Sequence, residues 1–288
     1  METVTFDLQR LQEIELDILR EFDALCRRKG LRYFLLGGSA LGAVRHGGMI
    51  PWDDDIDVGM PRPDYQQFLC QAADELPAHL FVQDWHSEPD CLNSFAKIRD
   101  ERSLFREEIA ADLPIHHGVF IDVFPLDGAP RELRTVRRRI RRMKLLKFAI
   151  INRKTSYFRR KSRAASLFLS AAGAIVGGDR AYAAIDRLCT RLSYDEGPRI
   201  ANWHGAWAER EAVPREVFGE GKEWDFGPLR CPLPADADAY LTSLYGNYHE
   251  LPPPEKRISH HGLDEVRLAP PDASAPGTIE NDTSGKAE

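Results

Sequence analysis

Apolar side chains recur every three or four positions along the start of the chain, which is the spacing of one face of an α-helix. The residues that share this spacing are Leu8, Leu11, Ile14, Ile18, Phe22 and Leu25. Gly30 follows directly, and glycine commonly ends a helix because it adopts the left-handed conformation without steric cost. The pattern predicts a helix over residues 6–29 that buries one face.

Short apolar runs then alternate with helical stretches. LRYFLL (31–36) predicts a buried strand, followed by Gly-Gly-Ser and the helical segment ALGAVRH. DIDVGM (55–60) predicts a second strand closed by the breaker PRP, with a helix from Asp64 to about Leu76. Shorter strands are predicted at HLFVQDW, SFAKIR and GVFIDVFPL.

The second half of the chain is predicted to be mostly helical. A basic helical pattern runs from Arg131 to about Arg163, then comes the apolar stretch AASLFLSAAGAIVGG (164–178), and another helix is expected around 180–192. EWDFGPLRCPLP indicates a hairpin, and ADADAYLTSLYG indicates a helix. From about Pro270 the chain has little to bury, which predicts a disordered tail.

Composition and charge narrow the class of protein. With 43% hydrophobic and 29% charged residues, the chain is expected to bury a core in water. Residues 131–163 carry 15 Lys and Arg and one acid, whereas the whole chain has a formal net charge of −6, so a basic face for an anionic partner is expected. The five cysteines have no disulfide-framework or zinc spacing. With no signal-peptide pattern and no membrane-spanning apolar run, a cytoplasmic location is expected.

The segment IPWDDDIDVGMP (50–61) places four carboxylates within five positions of an otherwise apolar stretch. Because a strand alternates its faces, Asp55 and Asp57 should project to one side, and Asp53 joins them if the strand starts early. Adjacent carboxylates repel each other unless a cation neutralises them, and hard divalent cations prefer oxygen ligands. The run therefore indicates a Mg²⁺ site, with Mn²⁺ as a substitute; a solvated acidic turn is the alternative.

The turn after the first predicted strand is suited to an anion. Gly37, Gly38 and Ser39 present backbone N–H groups at the start of a helix, where phosphates commonly bind. Arg45 follows within two helical turns and is expected to reach the same anion. An ordinary strand-to-helix turn and a surface ion pair are the respective alternatives.

The order strand, Gly-Gly-Ser, helix, strand, Asp-x-Asp resembles the core of DNA polymerase β-type nucleotidyltransferases. That superfamily places a third carboxylate on a later strand, and GVFIDVFPLDG offers Asp122. A buried unpaired carboxylate is costly, so a metal is its natural partner. Lys97 and Arg99 alternate along AKIRD and are expected to reach the cleft as donor ligands, with surface ion pairs as the alternative.

Four longer blocks resemble the LicD family of phosphotransferases, whose wider group includes fukutin-related proteins. They are YFLLGGSALGAVRHGGMIPWDDDIDVGMPRPDYQQFL, AKIRD, GVFIDVFPLDG and YLTSLYGNYHELPPPEKR, in the family's order. The resemblance covers roughly residues 15 to 257. It implies an α+β fold, with a DNA polymerase β-type nucleotidyltransferase core (a small mixed sheet flanked by helices) and a mostly helical second part.

The resemblance, together with the composition of the basic middle and of the tail, suggests a division of the chain. The expected parts are a catalytic core over 1–130, a basic helical segment over 131–200, a C-terminal part over 201–269 that completes the LicD-like domain, and the disordered tail over 270–288.

The activity implied by the resemblance is Mg²⁺-dependent transfer of a phospho-alcohol, most often phosphocholine. The donor would be CDP-linked, the acceptor a hydroxyl of a cell-surface glycan of lipopolysaccharide or teichoic acid type, and the leaving group CMP. The implied catalytic residues are Asp55, Asp57 and Asp122, which with Asp53 are also the metal ligands. The implied donor ligands are Gly37, Gly38, Ser39, Arg45, Lys97 and Arg99.

Two other functions fit the same residues. One is a nucleotidyltransferase that moves NMP to a hydroxyl and releases pyrophosphate, and the other is a protein that binds a CDP-alcohol without turning it over. The basic and apolar segment 131–178 is typical of an interfacial helix, which predicts peripheral contact with the inner face of a membrane carrying a lipid-linked acceptor. A basic helical face packed on the protein is the alternative. Nucleic acid is not an expected partner, because no recognised binding motif accompanies the charge.

Overall fold

The computed structural model describes residues 6–157, 167, 178–257 and 262–270. Its helices are α1 (Leu8–Lys29), α2 (Gly37–His46), α3 (Arg62–Gln67), α4 (Leu133–Lys154), α5 (Gly178–Cys189), α6 (Arg215–Phe218) and α7 (Ala237–Tyr245). Its strands are β1 (Phe34–Leu35), β2 (Asp57–Pro61), β3 (Leu80–Gln83), β4 (Ala96–Asp100), β5 (Leu104–Glu107), β6 (Val119–Ala129), β7 (Arg199–Asn202), β8 (Ala212–Pro214), β9 (Lys222–Phe226), β10 (Leu229–Leu233) and β11 (Leu263–Arg267).

The predicted first helix is confirmed as α1, and its ends follow from the local sequence. The Asp7 carboxylate accepts a hydrogen bond from the Arg10 backbone N–H at 3.1 Å, which satisfies one of the free donors at the helix start. At the other end Gly30 has φ 66°, a left-handed conformation that favours glycine. Between these ends, the apolar stripe of α1 is buried in the main hydrophobic cluster.

Strand β6 is the centre of a mixed sheet with the strand order β1-β2-β6-β4-β3. It pairs in parallel with β2 on one side, and antiparallel with β4 and then β7 along its length. Strand β8 extends the sheet from β7. All 11 residues of β6 are buried, as expected for a central strand. The predicted α+β class is confirmed.

The segment from the second strand into α3 confirms one prediction about local structure and corrects two. The predicted end of the second strand at PRP is confirmed, because β2 ends at Pro61. The same segment begins α3, since proline is tolerated in the first turn of a helix. The helix expected from Asp64 to about Leu76 stops at Gln67 and continues as a π-helical turn and a 3₁₀ turn. Strand β2 starts at Asp57, so Asp55 lies before the strand and not on it.

The basic helix α4 packs on α5 and on the 3₁₀ turn Ala208–Glu211, and it belongs to a second hydrophobic cluster, which contains Val136, Met143, Ile185 and Trp203. Strand β7 runs from Arg199 to Asn202 and therefore crosses the predicted boundary between 131–200 and 201–269. The apolar stretch 164–178, apart from residues 167 and 178, lies outside the described residues, and so does the predicted tail beyond Pro270. Among the helices that are described, none has the length and apolar character needed to cross a membrane.

Candidate active site

The register of the main sheet places four polar side chains in one row across its centre. Asp57 of β2 pairs with Asp122 of β6, Asp122 pairs with Lys97 of β4, and Lys97 pairs with Gln83 of β3. Directly paired residues project to the same face of a sheet. Lys97 Nζ lies 3.0 Å from Asp122 Oδ1. The sheet thus brings together two of the predicted catalytic carboxylates and one predicted donor ligand.

The other predicted carboxylates lie in the loop that leads into β2. Asp53, Asp54 and Asp55 each offer a carboxylate oxygen, and these oxygens lie within 4.8 Å of one another. Asp55 lines the same cavity as Asp57 and Asp122. The loop therefore adds a third carboxylate to the cavity and places two more beside it.

The glycine pair at the start of α2 makes room for these acids. A Cβ at Gly38 would lie 2.6 Å from Asp53 Oδ2, and a Cβ at Gly37 would lie 3.0 Å from Asp57 Oδ2. Gly37 also has φ 49°, which favours glycine. Since the N-terminal end of a helix carries partial positive charge, it stabilises carboxylates that approach it. The two glycines allow the carboxylates of Asp53 and Asp57 to approach the start of α2 without a clash. Their role in binding phosphate stays a prediction.

Ser39 and the N–H of Gly37 are bonded within the protein. Ser39 Oγ accepts a hydrogen bond from the Asp57 backbone N–H at 2.8 Å, and the Gly37 N–H donates to the Tyr240 hydroxyl at 3.1 Å. Ser39 is buried, so its hydroxyl fixes the backbone from which the Asp57 carboxylate projects.

The two arginines predicted as donor ligands lie outside the cavity lining in the described part of the chain. Arg45 donates from Nη1 to the Tyr248 carbonyl oxygen at 3.0 Å. Arg99 is buried, and its guanidinium donates to Gln83 Oε1 at 2.7 Å and to the Gly118 carbonyl oxygen at 2.9 Å. Both guanidiniums therefore support neighbouring segments, and contact with a donor remains a prediction.

Glu15 of α1 is a buried acid beside the cluster that the sequence interpretation missed. Burial raises the pKa of Glu15 well above its ordinary value, and the charges of Asp55, Asp54 and Asp53 raise it further. The sequence did carry a signal, because Glu15 lies four residues after Leu11, within the stripe that α1 buries.

Glu211 is a second acid that was missed. It lines the cavity, and its Oε1 accepts a hydrogen bond from the Trp207 backbone N–H at 3.1 Å. Burial raises the pKa of Glu211 to about 7. Nothing in the local sequence marked Glu211, because it directly precedes β8 and comes to the site through the pairing of β8 with β7 and of β7 with β6.

The cavity that these residues line has a volume of about 260 Å³. Its lining comprises Leu36, Gly37, Gly38, Asp55, Asp57, Phe95, Asp122, Phe124, Asn202, His204, Gly205, Ala206, Trp207 and Glu211. A larger groove of about 990 Å³ lies elsewhere, along Tyr65, Trp85 and Asp186. That groove contains none of the predicted site residues, so we place the active site at the smaller cavity, where the carboxylates converge.

The acids of the cavity fit a hard divalent cation. Asp122 Oδ1 is buried and, among the described residues, accepts no hydrogen bond; its contact with Lys97 has the geometry of an ion pair only. Burial raises the pKa of Asp57 well above its ordinary value, and the charges of Asp55 and Asp122 raise it further. Ionising these neighbouring carboxylates together is costly, and a bound cation would stabilise their charged forms. Carboxylate oxygens are suitable ligands for Mg²⁺ or Mn²⁺.

The nucleotidyltransferase-domain model of the LicD/FKTN/FKRP family matches residues 30–126, which include α2, β2, β4 and most of β6. The predicted resemblance to the LicD family is confirmed. The LicD-like chain is also 28% identical over 268 residues to the lipopolysaccharide cholinephosphotransferase LicD of Haemophilus influenzae, which covers 88% of this chain and 96% of that protein.

Two further relatives match shorter parts of the chain. The ribitol 5-phosphate transferase FKRP of Homo sapiens is 64% identical over 31 residues, which is 11% of the LicD-like chain and 6% of FKRP. An uncharacterised protein of Rickettsia typhi is 39% identical over 57 residues, 19% of the chain and 18% of that protein. The predicted enzyme class, phosphotransferase, is confirmed by the match to the LicD cholinephosphotransferase and by the match to the family model.

Proposed function

We propose that the LicD-like chain transfers phosphocholine from CDP-choline to a hydroxyl of a lipopolysaccharide-type glycan and releases CMP. The observation that carries this proposal is the convergence of Asp55, Asp57 and Asp122 on one cavity. The similarity over most of the chain to a lipopolysaccharide cholinephosphotransferase supports the choice of cargo and acceptor.

The proposed reaction is a displacement at the distal phosphorus of the donor. The acceptor oxygen forms a bond to that phosphorus, the bond from phosphorus to the bridging oxygen breaks, and the electron pair leaves with CMP. Asp122 is the group we assign to take the proton of the attacking hydroxyl. A Mg²⁺ or Mn²⁺ ion held by Asp55, Asp57 and Asp122, with Asp53 as a further ligand, would supply positive charge beside the donor phosphates.

The chain's other residues position these groups. Ser39 fixes the backbone of Asp57, and Lys97 forms an ion pair with Asp122, with Nζ 3.0 Å from Oδ1. In this proposal the donor phosphates bind at the start of α2, in the nucleotidyltransferase-type core. Gly37 and Gly38, at this helix start, lie against the carboxylates.

The test is to identify the product nucleotide. Purified protein is incubated with Mg²⁺, a lipid-linked glycan extract and one CDP-alcohol at a time. We expect CMP from CDP-choline, lost in Asp55→Ala and retained in the control Asp225→Ala, whose side chain is 81% exposed on β9. CMP release that survives in Asp55→Ala would contradict the assignment of the site.

Transfer of NMP from a nucleoside triphosphate is the second candidate, because the matching family model describes a nucleotidyltransferase domain. The same assay separates the two functions. Pyrophosphate from a nucleoside triphosphate, with no CMP from any CDP-alcohol, would support this second candidate.

We also propose that α4 brings the enzyme to the inner face of a membrane that carries the acceptor. Leu133, Leu145 and Phe148 are exposed on this helix, where 10 of the 22 residues from 133 to 154 are Lys or Arg. An apolar and cationic surface of this kind binds anionic lipid. Flotation with anionic liposomes should recover the protein at low salt and lose it at high salt. No recovery at either salt concentration would refute the contact.

A further inference from the structure

One part of the cavity wall is aromatic. Phe124 follows Asp122 by two positions on β6 and therefore projects to the same face of the sheet. The ring of Phe95 lies 4.4 Å from that of Phe124 between centroids, and the ring of His204 lies 5.6 Å from Phe95. All three rings line the cavity that contains the carboxylates. We call these three residues the aromatic wall.

The polar atoms beside this wall are already paired with one another. His204 Nδ1 lies 3.2 Å from Ser94 Oγ, and His204 Nε2 lies 3.7 Å from Cys189 Sγ. Asn202 Oδ1 accepts from the His204 backbone N–H at 3.0 Å, and Glu211 accepts from the Trp207 backbone N–H. A ligand group that requires hydrogen bonds therefore finds few partners at this end of the cavity.

The charge of the cavity favours a cation. Its lining includes four carboxyl groups and, within the described residues, neither Lys nor Arg. Burial lowers the pKa of His204 well below its ordinary value, so this imidazole is neutral near pH 7. The Lys147 ammonium lies 5.8 Å from the centre of the Phe95 ring but does not line the cavity. Because this ammonium lies near Phe95, substitution of Phe124 is the clearer test of the aromatic wall.

From this arrangement we infer that Phe95, Phe124 and His204 form the subsite for the quaternary ammonium group of the donor, a step that rests on the proposed function. A quaternary ammonium donates no hydrogen bond and is attracted to the faces of aromatic rings. A primary ammonium donates hydrogen bonds, and a polyol both donates and accepts them, so both lose interactions with water that the aromatic wall does not replace. The aromatic wall thus selects the cargo, while the carboxylates serve the phosphoryl transfer.

The experiment measures the dissociation constants of CDP-choline, CDP-ethanolamine and CDP-glycerol by titration calorimetry with Mg²⁺ and without acceptor. We expect the wild-type protein to bind CDP-choline about 10-fold more tightly than the other two donors, the size of one or two cation–π contacts. Phe124→Leu should reduce this preference to about 2-fold or less and leave the affinity for CDP-ethanolamine within about 2-fold. The matched control is Phe81→Leu on β3, whose ring stacks on His116 and does not line the cavity.

The possible results separate the subsite from the function. Equal wild-type affinity for all three donors, or equal weakening of all three in Phe124→Leu, would overturn the subsite and leave phosphotransfer intact. Binding of none of the CDP-alcohols would overturn the proposed function, and the subsite with it. If Phe124→Leu does not fold, the subsite is tested on the wild-type protein by competition between CDP-choline and phosphocholine or phosphoethanolamine. Phosphocholine must then displace CDP-choline at about 10-fold lower concentration than phosphoethanolamine does, and equal potency refutes the subsite.

Discussion

Replacing Lys97 with methionine removes the cation nearest to Asp122. The Lys97 side chain is 4% exposed, with Nζ 3.0 Å from Asp122 Oδ1 and 3.2 Å from the centre of the Phe120 ring. Methionine keeps most of the side-chain volume and removes the charge. Asp122 is then left buried without the ammonium beside it.

The size of the effect follows from the distance. At 3.0 Å and an effective dielectric constant of about 20, the attraction between two unit charges is about 5–6 kcal/mol. Removing one partner of a buried ion pair costs about 3–5 kcal/mol, because the other charge stays buried. We therefore expect Lys97→Met to lower the free energy of unfolding by about 3–5 kcal/mol in EDTA. The loss should be smaller with Mg²⁺, because a cation bound at Asp122 replaces the missing charge.

The assay is urea unfolding followed by circular dichroism, with EDTA and with Mg²⁺ in parallel. Lys222→Met, at an exposed position on β9, is the matched control and should change the free energy of unfolding little. A loss below about 1 kcal/mol for Lys97→Met in EDTA would refute the coupling between Lys97 and Asp122. A loss that is the same with and without Mg²⁺ would refute the placement of the cation at Asp122.

Three further predictions address other parts of the site and its support. Gly38→Ala should displace the Asp53 carboxylate, since the new Cβ would lie 2.6 Å from Oδ2. We expect lower turnover with an unchanged circular dichroism spectrum. Turnover equal to that of the wild-type protein would show that Asp53 is not needed in this position. Because the folded-state pKa of Glu211 is raised from 4.5 to about 7, stability present below about pH 4.5 is lost as the pH rises to 7. Glu211→Gln should abolish about 3 kcal/mol of that loss in urea unfolding from pH 4.5 to 7.5, and an unchanged pH profile would contradict the cause. Arg62→Met leaves Asp127, which is 1% exposed, without the guanidinium 2.6 Å away, and should cost about 3–5 kcal/mol of unfolding free energy; a loss below about 1 kcal/mol would count against the pair.

The sequence was sufficient where local pattern decides the structure. The apolar stripe and Gly30 predicted α1 because burial of one face and a left-handed stop are local requirements. The acidic run predicted a cluster of carboxylates, and the structure places Asp53 and Asp57 against the glycine pair that the sequence marked as a phosphate site.

Pairing between distant strands was not predictable from the sequence. Asp57 and Asp122 are direct partners only because β2 and β6 pair in this register, which depends on the packing of the whole sheet. Glu211 and His204 reach the cavity through β7, a strand whose four residues carry no distinctive pattern. Asp55 was placed on a strand by the alternation of faces, whereas the strand begins two residues later.

The bond that breaks in the donor tests the central claim most directly. CDP-choline is prepared with radioactive phosphorus either next to cytidine or next to choline, and each form is incubated with the enzyme, Mg²⁺ and a lipid-linked glycan extract. We expect the label next to choline to enter the glycan and the label next to cytidine to be recovered in CMP. Entry of the label next to cytidine into the glycan would contradict that claim.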